Sequence, residues 1–194
     1  MTPRIEEMMQ DIETMKARLR EEIAKEEKKI AYTIKNGSVV FEEALLQRQR
    51  QQMKQLGAWF REIPFIQLLT APVIYGMMIP AVILDLSLWI YKIIVGKVFN
   101  IKFAERKDYI VFDRHYLGYL NIIEKINCVY CSYFNGLMNY AVAIAGRTEL
   151  YFCPIKHAKK VAYEHPFSYR FFSYADGESY QERLKRLREE TAKK

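Results

Sequence analysis

The sequence predicts a mainly α-helical protein made of a helical N-terminal arm, a membrane-embedded or re-entrant helical segment, and a small helical region that binds a metal through three cysteines and one histidine. Three observations carry this expectation. Ile5, Met8, Ile12, Met15 and Leu19 recur at alternating spacings of three and four, the period of a narrow helical seam. From Ile63 to Leu84 there is no charged side chain, a run long enough to cross a hydrocarbon core as a helix. All three cysteines fall between Cys128 and Cys153, two of them as C-V-Y-C and the third in C-P-I-K-H.

The chain has 194 residues and a formal net charge of +7, with 51% hydrophobic residues. A core is therefore affordable. Most of the excess positive charge lies after Asp85, which suits anionic lipid headgroups or, as the weaker expectation, nucleic acid. An odd number of cysteines argues against a disulfide framework and for a reducing compartment. The first thirty residues are too densely charged for a secretory signal.

Four segments follow in order. Residues 1–62 read as a helical hairpin or coiled-coil arm. Pro3 suits the first helical position of a helix over residues 3 to 32, and Asn36-Gly37-Ser38 supplies a turn in which Ser38 caps the next helix. That helix carries Phe41, Leu45, Met53, Leu56, Phe60 and Ile63, and residues 3–62 are the expected docking surface for a protein partner or a second copy. Residues 63–101 form the membrane segment. Pro72, Pro80 and Asp85 disfavour a lone lipid-exposed span, so the preferred geometry is a hairpin broken near Gly76 to Pro80, with Trp89, Tyr91, Lys92 and Lys97 at the headgroups. Spanning and re-entry both remain open. Basic residues at Arg61, Lys97, Lys102, Arg106 and Lys107 favour the cytoplasmic side for both ends.

Residues 102–175 are the expected metal-site domain. Thiolate and imidazole are ligand types that zinc prefers, and a reversal at Asn135-Gly136 would bring Cys153 and His157 back to Cys128 and Cys131 to close a tetrahedron. An iron–sulfur cluster, a free CxxC dithiol and inert buried thiols are the alternatives. After a strand-like Tyr109 to Phe112, an amphipathic helix to Asn127 puts Asn121, Glu124, Cys128 and Cys131 on one face, with Glu124 as an additional acceptor. His115, with Asp113 and Glu124, is the candidate catalytic group if the metal keeps an open position; Arg147 and Glu149 read as solvated. The aromatic run Tyr163 to Tyr174, interleaved with His165 and Arg170, suits a membrane interface, and base stacking is its weaker reading. Residues 176–194 begin with the turn Asp176-Gly177 and continue as a charged helix from Glu178 to Ala192.

The stretches D-R-H-Y-L-G-Y-L-N-I-I-E-K-I-N-C-V-Y-C-S-Y-F-N-G and R-T-E-L-Y-F-C-P-I-K-H-A resemble a family of small bacterial membrane-associated proteins that has no assigned activity. The resemblance covers roughly residues 60 to 180. It implies a bacterial inner-membrane protein in which Asp113, Arg114, His115, Asn121, Glu124, Asn127, Cys128, Cys131, Asn135, Arg147, Glu149, Cys153 and His157 belong to one pattern, and it supplies no reaction.

The functional expectation is a membrane-anchored accessory or scaffold protein with a structural Cys3His zinc site on the cytoplasmic side, docking a partner or second copy. Two alternatives stand beside it: a redox or electron-transfer protein using the CxxC pair or an iron–sulfur cluster, and a membrane-bound metal-dependent hydrolase or transferase using His115. No Gly-rich phosphate loop, nucleophile elbow or HExxH motif supports the last.

Overall fold

The structure, a computed structural model, describes residues 3–27, 32–35 and 38–193. The chain divides into two compact units, one of residues 1–55 with 116–121, the other of residues 56–115 with 122–194. The apolar segment, the cysteine-bearing region and the final charged helix fall in the second of these units.

In the first unit, α1 runs Pro3–Glu27, and Met8, Ile12, Met15, Leu19 and Ile23 are all about half exposed or more. The helix expected next is replaced at its start by a hairpin, β1 (Tyr32–Lys35) paired antiparallel with β2 (Ser38–Phe41), Tyr32 opposite Phe41 and Lys35 opposite Ser38. Ser38 is thus a strand residue and not a helix cap. The β-branched and aromatic residues on both sides of the Asn-Gly pair prefer a ladder; Asn36 and Gly37 themselves lie outside the described residues. α2 (Glu43–Gln51) then forms, and Gln49 Oε1 accepts the backbone N–H of Gly118 at 2.9 Å, so residues 116–121 belong with this unit.

The second unit is built on two long helices. After α3 (Leu56–Glu62), α4 (Phe65–Gly76) and α5 (Met78–Phe99) follow with a single residue between them. The expected reversal near Gly76 to Pro80 does not occur. Met77 keeps a helical backbone, its carbonyl accepts the Ala81 N–H at 3.3 Å, and the chain continues as one helix from Phe65 to Phe99 that is long and apolar enough to cross a membrane. Pro80 lies in the first turn of α5, where a missing N–H costs least. α5 ends at Asn100, whose left-handed backbone (φ 54°) turns the chain while the Ile101 N–H donates to Gly96 O.

α6 (Ile122–Phe152) runs parallel to α4 and α5: Tyr130 O–H donates to Ile74 O at 2.7 Å, Tyr91 O–H to Thr148 Oγ1 at 3.0 Å, and the Phe99 and Phe152 rings meet at 4.9 Å. A parallel pair needs a return crossing, and residues 100–115 supply the part of it that belongs to this unit. Ile101, Phe103 and Ile110 are buried there with Ala81 of α5 and Leu137, Tyr140 and Ile144 of α6. This return is extended with two single 3-10 turns, Arg106–Asp108 and Arg114–Tyr116, where the sequence suggested a strand and then a helix. Two of its charges, Glu105 and Arg106, pair with Lys92 and Asp85 of α5 rather than along a helix of their own.

The expected turn at Asn135-Gly136 is helical and fully inside α6. Gly136 serves close packing: a Cβ there would stand 2.5 Å from Tyr109 O and 3.0 Å from Ile110 Cα. After α6, Ile155 bridges Phe172, and α7 (Tyr180–Lys193) buries Leu184 and Leu187 while Arg188 Nε donates to Tyr151 O at 2.9 Å near the end of α6.

Candidate functional site

The unbroken α6 separates the expected metal ligands. At 1.5 Å per residue, Cys128 and Cys153 stand about 37 Å apart along one helix, and Cys131 and Cys153 about 33 Å. Cys128, Cys131, Cys153 and His157 therefore do not converge, and among the described residues no three His, Cys, Asp or Glu side chains form a group able to hold a metal ion. Cys128 is half-buried and Cys131 exposed, one turn apart, so the dithiol spacing survives while the tetrahedron does not. Asp113 and His115 lie at the second 3-10 turn and Glu124 in the first turn of α6; Asn121 precedes that helix, so the expected four-residue face starts only at Glu124.

What the fold does assemble is a helix with its polarity inverted. The residues of α5 that face the protein include its two central charges. The single Nε–H of Arg106 is shared between Asp85 Oδ1 at 3.0 Å and Oδ2 at 3.2 Å, and Asp85 also accepts from Arg106 Nη2 at 2.7 Å and from Tyr133 O–H at 3.0 Å. Lys92 Nζ donates to Ala104 O at 3.0 Å and to Glu105 at 3.1 Å. Burial, then the hydrogen bond to Asp85, pushes the Tyr133 phenol up, so the hydroxyl stays a donor. Tyr75 O–H donates to Asn127 in the same interface.

The opposite face is apolar and uncovered. Ile79, Val82, Ile83, Leu86, Ile90, Ile93 and Ile94 are exposed on α5, continued on α4 by Phe65, Ile66, Leu69 and Val73, and only 6% of the most apolar stretch is buried. Trp89 lies on it, and Lys97 closes it near the C-terminal end. The hydrophobic run announced the segment; the pairing of Asp85 with Arg106, 21 positions later, and of Lys92 with Glu105, 13 positions later, had no local signal.

A second feature sits at the C-terminal end of α6. A cavity of about 610 Å³ is lined by Lys156, His157, Lys159 and Lys160 with Glu149, Tyr163, Glu164, His165 and Ser168. The Phe167 N–H donates to His165 Nδ1 at 3.1 Å, which leaves the proton on Nε2 facing Glu149 Oε2 at 3.0 Å. Glu149 is thus a partner of His165 and not a solvated carboxylate, and Arg147 stacks its guanidinium 4.9 Å over the Phe167 ring. Gly146 permits this packing, because a Cβ would come within 2.8 Å of His165 Nδ1. The aromatic run therefore packs partly inward, Phe171 being buried with Leu150 and Leu187.

Comparison with family models, with curated proteins and with solved structures finds no match, so no family or activity is assigned by likeness.

Proposed function

We propose that the protein is a membrane-seated scaffold whose α4–α5 helix lies along one leaflet with its apolar face in the lipid, while the N-terminal arm offers α1 to a protein partner or second copy. The observation that carries the reading is the inverted polarity of α5, with Asp85 and Lys92 satisfied inward and an apolar stripe outward. Water on that face would leave more than ten large apolar side chains hydrated, at about 1 kcal/mol for each half-exposed one.

Lying along the surface is favoured over crossing by what travels beside the helix. A hydrocarbon core takes about twenty helical residues. A window that includes Asp85 to Lys92 carries Glu105, Arg106, Lys107 and Asp108, all exposed on the return segment, into the lipid. A window over the charge-free residues 63–84 is centred close to Tyr75, whose partner Asn127 lies one turn from Glu124 and Lys125. Placing four charges in hydrocarbon costs on the order of 10 kcal/mol. Seating by one face avoids that cost and keeps α6 behind the helix. A metal site is not part of this reading, because Cys128 and Cys131 lie near the start of α6 whereas Cys153 and His157 follow its far end.

The test is co-flotation of the purified full-length protein with phosphatidylcholine vesicles. Wild type is expected to float, and Ile83→Glu/Ile90→Glu to remain in solution with unchanged helix content. Equal flotation of both proteins contradicts the seating, and a stoichiometric protein complex that masks the same face in place of lipid assigns the face to a partner.

A further inference from the structure

We infer that the cavity at the C-terminal end of α6 is a phosphoryl-binding site for the headgroup of an anionic phospholipid; the inference rests on the seating of α4–α5 in one leaflet.

Position is the first argument. Phe99, the last residue of α5, packs its ring on Tyr151 at 5.8 Å and on Phe152 at 4.9 Å, so the end of α6 lies at the end of the lipid-facing helix. The chain leaves α6 at Cys153 and supplies the basic loop Lys156 to Lys160 directly from there. With α5 lying at the surface, that loop is at the level where phosphates are found, and Lys97 and Lys102 lie on either side of the end of α5 in the sequence.

Charge is the second. Lys156, Lys159 and Lys160 line the cavity, and among the described residues none of the three has an acidic partner for its ammonium group. The lining sets three lysines against two carboxylates, a surplus of one positive charge. Glu149 faces His165 Nε2 at 3.0 Å and Glu164 accepts from Ser168 Oγ at 3.1 Å. An ammonium on a flexible stem suits a phosphate as a point charge. The His165 ring is held from both nitrogens and packs on Phe171 at 5.1 Å, which gives the pocket a fixed wall. A volume of about 610 Å³ admits a phosphoglycerol group but not the acyl chains as well, which would remain in the leaflet.

The shared chemistry is a phosphate ester, and its source is decided by experiment. Partition of the full-length protein is measured on phosphatidylcholine vesicles with and without phosphatidylglycerol, for wild type, Lys159→Gln/Lys160→Gln, and the charge-matched control Lys185→Gln/Arg186→Gln on exposed positions of α7. Each lysine near an anionic surface strengthens binding about fivefold, so the first variant is expected to lose about 25-fold on the anionic vesicles and nothing on the neutral ones. The control is expected to stay near wild type. Equal losses in the two variants mean diffuse attraction and overturn the site, as does an unchanged first variant. Calorimetric titration of detergent-solubilised protein with glycerol 3-phosphate completes the test. Binding there that depends on Lys159 and Lys160, without any gain from phosphatidylglycerol, overturns the lipid assignment in favour of a soluble ester. Failure of all three proteins to bind neutral vesicles tells against the seating of α4–α5 instead, and is read separately.

Discussion

Asp85→Ala probes the contact that ties α5 to Arg106 of the return segment and to Tyr133 of α6. The side chain of Asp85 is 16% exposed and that of Arg106 is 45% exposed. Removing the carboxylate takes two donors of Arg106 and the hydroxyl of Tyr133 out of hydrogen bonds together. A fully buried pair broken this way costs about 3–5 kcal/mol, and the open guanidinium can recover part of that from water, so a loss of about 2 kcal/mol is expected. For a chain of this size that lowers Tm by about 4–8 °C. The assay is thermal unfolding followed by circular dichroism in detergent micelles, with Asp85→Asn expected to fall between wild type and Asp85→Ala because it keeps an acceptor for Tyr133. If Asp85 instead faced lipid, deleting its charge would stabilise the protein. A Tm equal to or above wild type refutes the inward orientation on which the inverted helix depends.

Other outcomes follow from the same packing. Gly136→Ala is expected to cost about 1–3 kcal/mol in thermal unfolding, because the new Cβ meets backbone of the return segment that cannot swing aside. Gly146→Ala is expected to loosen the His165 wall, read as increased hydrogen exchange in residues 163–171 with less effect on α5. The hydrogen bond from Arg183 holds the Asp176 carboxyl below its ordinary range, so this link contributes at neutral pH and is lost as acid protonates the group; Arg183→Gln is expected to flatten the acid limb of a Tm–pH profile. Cys128→Ser/Cys131→Ser is expected to melt within about 0.5 kcal/mol of wild type, with metal analysis of both proteins unchanged.

Some of this was legible in the residues. Pro3 and the three-four spacing announced α1, the charge-free run announced an apolar helical segment though not its continuity, and Asp176-Gly177 announced the last helix. The errors share a physical cause. Asn135-Gly136 has turn chemistry, but Gly136 is selected for contact with Tyr109 and Ile110, which are distant in sequence. The proline pair Pro72 and Pro80 suggested a reversal, yet Met77 between them keeps helical dihedrals. The metal site rested on that false turn, since Cys128 and Cys153 are neighbours only if α6 folds back. Short-range pattern reports the period of an element; which glycine is a turn and which is a contact is decided by what packs against it.

The most direct measurement is a spin-label depth scan of the α4–α5 helix, with single cysteines placed from Ile66 to Val98 in a background in which Cys128, Cys131 and Cys153 are serine, bound to phosphatidylcholine vesicles. The account predicts immersion that oscillates with a period of 3.6 residues, deepest at Ile79, Ile83, Leu86 and Ile90 and shallow at Leu84, Leu88 and Val95. A smooth rise to one maximum near residue 74 and a fall on either side, with no helical period, would mean that the helix crosses the bilayer and would contradict the account.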